Sequence, residues 1–406
     1  MKRVVITGMG IISSIGNNKE EVLNSLYHGL SGIVYSEEMK KINMRSNIWG
    51  NIKLNDICML TKKIDRFMNN AARYSFLTML EAIKDANISD QRYQKNPRVG
   101  IITGSGCSCL SYFLCDNKSN IKNEYISKIT SPYFTIQTMP SVISACLSVL
   151  FKIYGVNYSI SSACATSAHC IGNAFELIQF GKQDLIFAGG AEEVSLELAR
   201  HFDTMRVLST HFNKFPQKAS RVYDINRDGF VISGGAGIVV MEELTYALSR
   251  GAHIYAEIIG YAATSDGSNM VVPSGDGAFR CMNLARNKKK ISVDYINVHG
   301  TSTKIGDIIE LKAIKKIFFN EKKPMISATK SMTGHALGAS GVHEIIYTLL
   351  MMQNNFIAPT INIERLDPNA ENMNIIQKTK NIKITTAMSN SFGFGGTNTS
   401  LIIKKY

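Results

Sequence analysis

The stretch Ser161-Ser162-Ala163-Cys164-Ala165-Thr166-Ser167 places one cysteine among small residues at the start of a helical pattern. Apolar residues recur after it at helical spacing, and Gly181 stands where a helix would end. Cys164 is therefore predicted to lie at a helix N-terminus, where unpaired N–H groups and the helix dipole favour a thiolate. That position suits a covalent nucleophile, although a cysteine among alanines and serines is more often a packing residue.

Three later segments carry residues suited to chemistry. His299-Gly300-Thr301-Ser302-Thr303 follows the apolar run Tyr295–Val298, so its histidine is presented at a strand end. The second segment, Lys330-Ser331-Met332-Thr333-Gly334-His335, brings a lysine and another histidine. The third is Asn390-Ser391-Phe392-Gly393-Phe394-Gly395-Gly396-Thr397-Asn398, whose glycines permit positive φ and expose backbone N–H groups of the kind an oxyanion hole needs.

One thiol, two histidines and a glycine-rich turn together indicate acyl transfer through a thioester. The thiolate would attack, and the imidazoles would stabilise an enolate or an oxyanion. A hydrolytic Cys-His enzyme needs only one histidine and a group that orients it. The second histidine therefore favours carbon–carbon bond formation.

Composition limits the class of protein. The chain has 406 residues, 45% of them hydrophobic, and a formal net charge of +13, which favours acidic partners. A nucleic-acid partner is not expected, because the basic residues are scattered and are not interleaved with aromatic residues. An acidic carrier protein fits the charge at least as well.

The eight cysteines form no CxxC pair and have no regular spacing, so neither a disulfide scaffold nor a zinc site is expected. They are interpreted as reduced thiols in a cytoplasmic protein. Glycines and serines interrupt the first apolar run too early for a signal peptide, and a first strand is predicted there instead. No stretch approaches the roughly 18 apolar residues that would cross a membrane.

Short apolar runs alternate with amphipathic stretches, a pattern typical of an α/β protein with buried strands. A weak internal echo suggests two similar halves, each with a glycine-rich segment near its end. The predicted strands are Val4–Thr7, Val99–Thr103, Asp184–Ala188, Gly237–Met241, Ala256–Ala262, Tyr295–Val298, Thr386–Ser389 and Thr399–Ile403. The predicted helices include Lys19–His28, Asn69–Ala86, Ala165–Phe180, Asp307–Phe318 and Val342–Gln353.

Four motifs, in order along the whole chain, resemble the β-ketoacyl-acyl-carrier-protein synthases of the condensing-enzyme family. They are SSACATSAHCIGNA from Ser161, HGTSTKIGD from His299, KSMTGHALGASG from Lys330 and NSFGFGGTN from Asn390. The stretches MRSNIWGNIKL and RGAHIYAEIIGYAATSDG are most similar to synthases of type I. Synthases of the third type carry asparagine in place of His335, and the inactive chain-length partners lack the cysteine, so both are disfavoured.

The resemblance implies a thiolase fold, in which two similar halves form a five-layered α-β-α-β-α sandwich. Residues 1–250 would be the half that carries Cys164, and residues 251–406 the half that carries both histidines. It further implies a homodimer, no cofactor and no metal, with substrates held on the phosphopantetheine arm of acyl carrier protein. The family sometimes shows a cation near Asn297, Glu344, Ser389 and Asn390, and the sequence leaves open whether this chain binds one.

The resemblance also assigns roles within a decarboxylating condensation. Cys164 would hold the acyl chain, while His299 and His335 would stabilise the enolate formed from malonyl carrier protein. The oxyanion hole would be the N–H groups of Cys164 and Phe394, with Phe392 and Phe394 acting as a gate. Lys330 would tune the field around His335 and Glu344 would anchor Lys330. Thr301 and Thr303 would bind the pantetheine arm.

Two surfaces complete these expectations. Lys62, Lys63 and Arg66 lie at one-turn spacing and match the carrier-docking positions of the family, although an ordinary solvated helix face has the same pattern. The acyl pocket would be lined by Cys107, Met139, Leu198 and Phe202. The segment Gly106-Cys107-Ser108-Cys109 has fewer glycines than type I synthases usually have there, so Cys107 is expected to narrow the pocket.

Three alternatives remain beside this interpretation. A type II synthase would share the catalytic residues and differ in chain-length preference. A dinucleotide-binding fold would explain Gly8-Met9-Gly10, but Ser13 stands where a third glycine is needed and no acidic residue follows at the expected distance. A non-catalytic scaffold would require an inert Cys164.

Overall fold

The computed structural model describes residues 1–54, 62–107, 132–286 and 291–406. Cys58, Cys109, Cys115, Ser108 and the run 287–290 lie outside the described residues. All eight predicted strands are confirmed, most of them extended by a few residues at one or both ends. The strands are β1 Val4–Ser13, β2 Val34–Tyr35, β3 Ile48–Trp49, β4 Val99–Gly104, β5 Asn157–Ser159, β6 Leu185–Glu192, β7 Gly235–Glu243, β8 Ala256–Ser265, β9 Tyr295–Asn297, β10 Met325–Ser327, β11 Phe356–Ile357, β12 Lys380–Asn381, β13 Thr386–Gly393 and β14 Thr397–Lys405.

The five predicted helices are also confirmed, within two residues at each end. The helices are α1 Lys19–His28, α2 Glu37–Lys41, α3 Lys62–Asp65, α4 Asn70–Asp85, α5 Asp90–Tyr93, α6 Phe134–Thr138, α7 Val142–Phe151, α8 Thr166–Gln179, α9 Leu196–Thr204, α10 Leu244–Ser249, α11 Asp276–Ala285, α12 Gly306–Ile317, α13 Lys330–Thr333 and α14 Ser340–Asn354. Short 3₁₀ turns occupy Ala163–Ala165, Pro216–Lys218, Leu337–Ala339 and Pro368–Ala370.

Ten strands form the main sheet in the order β10-β9-β13-β14-β8-β1-β7-β6-β4-β5. If the strands of each half are numbered along the chain, both halves have the order 3-2-4-5-1. In each half the second strand pairs in parallel with its two neighbours, and the fifth strand pairs antiparallel with the fourth and the first. The halves meet where Val4, Val5 and Ile6 of β1 pair with β8. The weak echo in the sequence therefore corresponds to a repeated topology.

Three helical layers enclose the two halves of this sheet, as expected for a five-layered sandwich. Helices α8 and α14 lie between the halves and contribute to one continuous apolar core with β1, β6 and β8. Helices α4 and α7 cover the outer face of the N-terminal half. Helices α11 and α12 cover the outer face of the C-terminal half. The functional loops therefore emerge from the ends of buried strands and helices.

The glycines of β1 serve packing and not phosphate binding. Gly8 and Gly10 lie inside the strand, and a Cβ atom on either would collide with helix α4. A phosphate-binding loop needs glycines in a turn after the strand, with their N–H groups open to a ligand. The structure therefore excludes the dinucleotide-binding interpretation of this segment.

Candidate active site

The nucleophile turn is built by backbone conformation and one threonine. Cys164 lies in the 3₁₀ turn that leads directly into α8, and Ala163 before it adopts φ 49°. The Thr166 hydroxyl donates to the Ala163 carbonyl at 2.8 Å and accepts from the Ser162 N–H at 2.9 Å. These bonds hold an unfavourable left-handed alanine in place, so the sulfur position is preset.

Burial affects the protonation state of Cys164, the predicted nucleophile. The Cys164 side chain is only 8% exposed, and burial raises its pKa to about 12. The Lys330 charge and the N–H groups of Phe394 and Cys164 act in the opposite direction but do not cancel the effect. Burial therefore favours the protonated thiol and opposes the thiolate that a helix N-terminus favours.

The glycine-rich segment forms the hairpin that joins β13 to β14. Gly395 and Gly396 adopt φ values of 81° and 73°, as a tight hairpin turn requires. A Cβ atom on Gly393 would lie 3.1 Å from the Cys164 nitrogen, so the hairpin packs directly on the nucleophile turn. The backbone N–H groups of Phe394 and Cys164 both face the Cys164 sulfur. Two backbone N–H donors therefore lie beside the Cys164 sulfur.

His299 is held by the carboxylate of a neighbouring helix. It follows β9, and Glu310 of α12 accepts the N–H groups of His299 and Gly300 at 2.9 Å and 3.0 Å. Burial, Lys330 and His335 lower the pKa of His299 well below its ordinary value of 6.5, so the ring is neutral. Its Nδ1 atom is buried without a described partner.

His335 lies opposite His299, with ring centroids 5.2 Å apart and planes at 85°. Its backbone is tied to the strand-like segment before β7, because its N–H donates to the Val231 carbonyl at 2.8 Å. Its Nδ1 atom lies 2.9 Å from the Ser340 hydroxyl. Burial and the Lys330 charge lower the pKa of His335 well below 6.5, so this ring is neutral as well.

Lys330 and Glu344 form a buried ion pair behind the histidines. The Lys330 ammonium donates to Oε1 of Glu344, and both side chains are almost fully buried. Burial raises the pKa of Glu344 to about 7, and Lys330 opposes that rise. The arrangement places a positive charge close to three reactive groups, since Lys330 acts on the pKa values of Cys164, His299 and His335.

A single cavity of about 350 Å³ joins these groups. Among the predicted site residues, its lining includes Cys164, His299, His335, Phe392, Phe394, Thr301, Thr303 and Phe202. The Thr301 and Thr303 hydroxyls lie 3.1 Å apart, on the stretch that leads from His299 into α12. Lys330 and Glu344 do not line the cavity. They act on it from behind the histidines.

The predicted acyl-pocket residues separate into two groups. Cys107, Leu198 and Phe202 belong to one apolar cluster with Cys164 and Phe394, next to the nucleophile. Burial raises the pKa of Cys107, and the neighbouring Glu192 and Cys164 add to that rise. Met139 follows α6 and is not part of this cluster or of the cavity lining. Within one chain, Met139 is not brought next to Cys164.

Sequence reasoning missed Glu192, at the end of β6. Its buried carboxylate accepts hydrogen bonds from Ser105 Oγ at 2.6 Å and from the N–H groups of Gly106 and Gly338 at 2.8 Å and 3.0 Å. It thereby joins the loop that carries Cys107 to the turn before α14. Burial raises the pKa of Glu192 to about 7. An acidic residue ending the apolar strand LIFAGGAE was the available signal.

The predicted docking residues lie on and directly after the short helix α3, with Arg66 one residue beyond its end. Lys62 opens α3, but its side chain lies outside the described part of the chain. Lys63 and Arg66 are exposed, and the Arg66 guanidinium lies 4.8 Å from the Tyr133 ring centroid. Two exposed cations therefore share this surface with an aromatic ring.

Neither a metal cluster nor a membrane helix is found in the described residues. No group of three His, Cys, Asp or Glu side chains among them is arranged to hold a metal ion. No described helix combines the length and the apolar character that a membrane span needs.

Comparisons with known proteins cover the whole chain. Residues 1–247 match the family model "Beta-ketoacyl synthase, N-terminal domain", and residues 255–364 match "Beta-ketoacyl synthase, C-terminal domain". The chain is 75% identical to 3-oxoacyl-[acyl-carrier-protein] synthase 1 of Buchnera aphidicola from Acyrthosiphon pisum, with 100% of both chains covered. It is 57% identical to the synthase 1 of Escherichia coli K12, covering 100% of this chain and 99% of that one.

Type 2 synthases are more distant, and solved structures share the fold. Identity to 3-oxoacyl-[acyl-carrier-protein] synthase 2 of Vibrio harveyi is 37%, over 100% of this chain and 99% of that one. A crystal structure of a β-ketoacyl synthase from Burkholderia phymatum matches with a TM-score of 0.93 and 33% identity, and both chains are fully covered.

Proposed function

The chain belongs to the β-ketoacyl synthase family, and from that premise we propose that it catalyses the decarboxylating condensation of malonyl-carrier protein with an acyl group held on Cys164. The enzyme is an acyltransferase of the condensing type, and its similarity to type 1 synthases exceeds its similarity to type 2. The observation that carries the proposed roles is that Cys164, His299 and His335 line one cavity.

In the first half-reaction, the Cys164 sulfur attacks the thioester carbonyl of an acyl-carrier protein. The C–S bond to the carrier breaks, and the thiol proton ends on the departing pantetheine sulfur. The N–H groups of Cys164 and Phe394 stabilise the tetrahedral oxyanion. Because burial favours the protonated thiol, proton loss accompanies attack and does not precede it.

In the second half-reaction, malonyl-carrier protein loses CO₂ and leaves an enolate on its thioester. Neutral His299 and His335 donate hydrogen bonds to the enolate oxygen, and the Lys330 charge keeps both rings neutral. The enolate carbon attacks the Cys164 thioester carbonyl and forms the new carbon–carbon bond. Cleavage of the Cys164 C–S bond releases β-ketoacyl-carrier protein, and the departing thiolate takes up one proton from solvent.

Phe392 and Phe394 are proposed to gate the cavity. Both side chains line it, and the hairpin that carries them turns on Gly395 and Gly396. Substitution Gly393→Ala would press a methyl group against the nucleophile turn, and Gly395→Ala would strain a backbone at φ 81°. Both variants should acylate Cys164 more slowly, and unchanged acylation rates would count against the gate.

Acyl carrier protein is proposed as the partner, with its pantetheine arm bound by Thr301 and Thr303. The positive net charge and the exposed cations Lys63 and Arg66, with Lys62 at the start of α3, support an acidic partner. Neutralising the three cations should raise KM for carrier-bound substrates and leave kcat largely intact. A loss of kcat with unchanged KM would contradict the docking role.

The quaternary structure, domain organisation and compartment are proposed on more general grounds. The shared strand order supports two duplicated halves at residues 1–250 and 251–406. A homodimer is supported by the outer edge of β5, which pairs with no other described strand, and by the exposed Val149 and Tyr154. In such a dimer Met139 would reach the acyl pocket only from the partner subunit. Free thiols at all five described cysteines support the cytoplasm, and the chemistry needs no cofactor.

An elongation assay tests the proposed function. Purified protein, malonyl-carrier protein and saturated and unsaturated acyl carriers of graded length should yield β-ketoacyl carriers and CO₂. The chain-length profile separates type I from type II specificity. Stoichiometric iodoacetamide labelling of Cys164, blocked by prior acylation, separates an enzyme from a scaffold with an inert thiol. Absence of condensation with every acyl carrier would overturn the proposal.

A further inference from the structure

We propose that the outer face of helix α12 is a docking surface for a membrane that contains anionic phospholipids. This surface, the lysine face, consists of Lys312, Lys315, Lys316, Phe319, Lys322 and Lys323. The inference goes beyond the proposed function and does not depend on it. No described helix could span a bilayer, so the attachment is peripheral.

The acids of helix α12 point into the protein and its lysines point outward. Asp307 accepts the N–H groups of Thr301 and Ser302 at 3.0 Å and 3.1 Å, and Glu310 accepts two N–H groups of the His299 loop. Both acids are almost fully buried. The exposed charged residues of the helix are all lysines: Lys312, Lys315 and Lys316. The helix therefore shows only positive charge to solvent.

The turn after α12 adds an aromatic ring and two more cations. Phe319 is 74% exposed, and Lys322 and Lys323 are exposed as well. Glu321 is the one acid of this turn, and it is bonded to Arg286 at 2.5 Å, so it does not neutralise the two lysines. An exposed aromatic ring therefore lies between two groups of lysines along the chain.

The five lysines have no acidic partner in the part of the chain that the structure describes. The Lys316 ammonium lies 4.1 Å from the Phe279 ring centroid, and Lys323 donates to the Asn372 carbonyl at 3.1 Å. Helix α2, by contrast, balances its exposed lysines with exposed acids: Glu37, Glu38, Lys40 and Lys41. The charge of the lysine face is therefore uncompensated and attracts anions.

Two surface cavities border Lys312. One, of about 380 Å³, is also lined by Lys304, Arg227 and Asp367. The other, of about 260 Å³, is lined by Lys312 and Lys315 and by one carboxylate. Arg227 and Asp367 pair with each other at 2.8 Å, so both cavities keep an excess of positive charge. Basic pockets of this kind suit the phosphate of a lipid headgroup.

A bilayer fits the lysine face better than a nucleic acid or an acidic protein does. The face has no arginine for bidentate phosphate contacts and only one aromatic ring, so it lacks a platform on which bases could stack. A bilayer interface takes up both lysine ammonium groups and an aromatic ring such as that of Phe319, whereas an acidic surface pairs only with the charges.

The lysine face stays accessible in the proposed homodimer. Helix α12 covers the C-terminal half, whereas the proposed dimer edge, β5, ends the main sheet in the N-terminal half. A dimer would present two such faces, and binding of both to one bilayer would strengthen the attachment.

Vesicle co-sedimentation of the full-length protein tests the inference. Vesicles of equal parts phosphatidylglycerol and phosphatidylcholine should bind the wild type at low salt, and vesicles of phosphatidylcholine alone should not. The triple variant Lys312→Gln, Lys315→Gln, Lys316→Gln should lower the partition coefficient about 100-fold. Binding should disappear at about 1 M salt, where the screening length is about 3 Å. Absence of binding to the anionic vesicles at low salt would overturn the inference.

The matched control removes the same charge elsewhere. The triple variant Lys378→Gln, Lys380→Gln, Lys383→Gln changes three exposed lysines at and beside β12 and should bind the anionic vesicles nearly as the wild type does. Urea unfolding verifies that both triple variants are folded. An equal loss of binding in the two would show that net charge and not the lysine face causes it, and would refute the inference.

Phe319→Trp supplies a second readout, which does not require the lysines to be changed. Trp49 is the only tryptophan of the chain and is 9% exposed, so the new indole reports on the lysine face. Its emission should shift to shorter wavelength when anionic vesicles are added, because the ring enters the interface. Unchanged emission from vesicle-bound protein would contradict this seating. Tighter binding of single-stranded polyuridylate than of vesicles, lost in the variant of Lys312, Lys315 and Lys316, would assign the face to a nucleic acid instead.

Discussion

In the N-terminal half of the sheet, the third strand leads to a 3₁₀ turn that begins at Ala163, with φ 49°, and continues into the buried helix α8. In the C-terminal half, the third strand leads, by way of α13, to a 3₁₀ turn that begins at Leu337, with φ 46°, and continues into the buried helix α14. The same left-handed backbone step occurs in both halves. In the first it presents Cys164, and in the second it follows His335.

The loops that follow β4 and β9, the second strands of the two halves, are also held in the same way, by a buried glutamate. In the N-terminal half, Glu192 accepts the N–H groups of Gly106 and Cys107 after β4. In the C-terminal half, Glu310 accepts the N–H groups of His299 and Gly300 after β9. One backbone plan therefore supports different side chains. The comparison teaches that the proposed nucleophile belongs to one half and the proposed hydrogen-bond donors for the enolate belong to the other.

The largest expected effect comes from removing the nucleophile. Cys164→Ala should lower condensation at least about 10⁴-fold, because no other described thiol lines the cavity. Malonyl decarboxylation should persist, since the histidines of the other half are intact. Product analysis and release of labelled CO₂ measure the two reactions. If decarboxylation disappeared together with condensation, the division of labour between the halves would be wrong.

Variants of the two histidines test the C-terminal half in the opposite way to Cys164→Ala. His299→Ala and His335→Ala should each lower decarboxylation and condensation about 10²- to 10³-fold, because each removes a donor to a developing negative charge. Acylation of Cys164 should continue, and mass spectrometry of the intact protein after exposure to acyl-carrier protein would detect it. Loss of acylation in both variants would show that the histidines serve the first half-reaction too.

A third test concerns the buried charge of Lys330 in the C-terminal half. The corresponding segment of the N-terminal half, between β5 and Cys164, contains no charged residue. Lys330→Met leaves Glu344 without its partner and should lower the free energy of unfolding by about 3–5 kcal/mol at pH 8. The loss should be smaller at pH 5, because the pKa of Glu344 is already about 7 and the carboxyl can take up a proton. Urea unfolding measures both values.

The control for this variant is an exposed pair. Lys218→Met breaks the contact with Glu364, in which both side chains are more than half exposed, and should cost less than about 1 kcal/mol. Equal losses in the two variants would mean that burial of the Lys330 pair has no energetic consequence.

The smallest expected effect is a pH dependence of stability that comes from Glu192, the buried carboxylate of the N-terminal half. Burial raises the pKa of Glu192 from 4.5 to about 7, so the folded protein binds an additional proton between these values. The contribution of Glu192 protonation to the free energy of unfolding is therefore fully present below about pH 4.5. It declines as the pH rises towards 7, by an amount on the order of 1–3 kcal/mol. Glu192→Gln should flatten this decline in urea unfolding series at several pH values. The surface variant Glu20→Gln should keep it, and an unaltered slope in Glu192→Gln would contradict the assignment.

The regular elements were largely predictable, because hydrophobic period and glycine punctuation are local properties. Helix α1 was predicted at Lys19–His28, where the structure has it, and the buried strands were found from their apolar runs. The short strands β5 and β10 were missed. Each has three residues, too few to show a period, and each forms by pairing in parallel with a neighbouring strand, β5 with β4 and β10 with β9.

The proposed reacting residues and the Lys330–Glu344 pair were predictable from the sequence, and the other supporting residues were not. Cys164, His299 and His335 were found because their chemistry and glycine-rich surroundings are visible along the chain. Glu192, Glu310 and Ser340 were missed, since an ordinary acid or serine has no local mark of its partner. Glu192 and Gly338, for example, are 146 positions apart. The placement of Met139 in the acyl pocket stays a prediction, which a dimer would have to fulfil.

By itself, the sequence determined which residues could react and which segments would form strands and helices, because residue chemistry and local periodicity do not depend on distant neighbours. Only the tertiary structure decided that burial favours the thiol form of Cys164 and that both histidines are neutral. The physical reason is that pKa values depend on burial and on partners brought together from both halves of the chain.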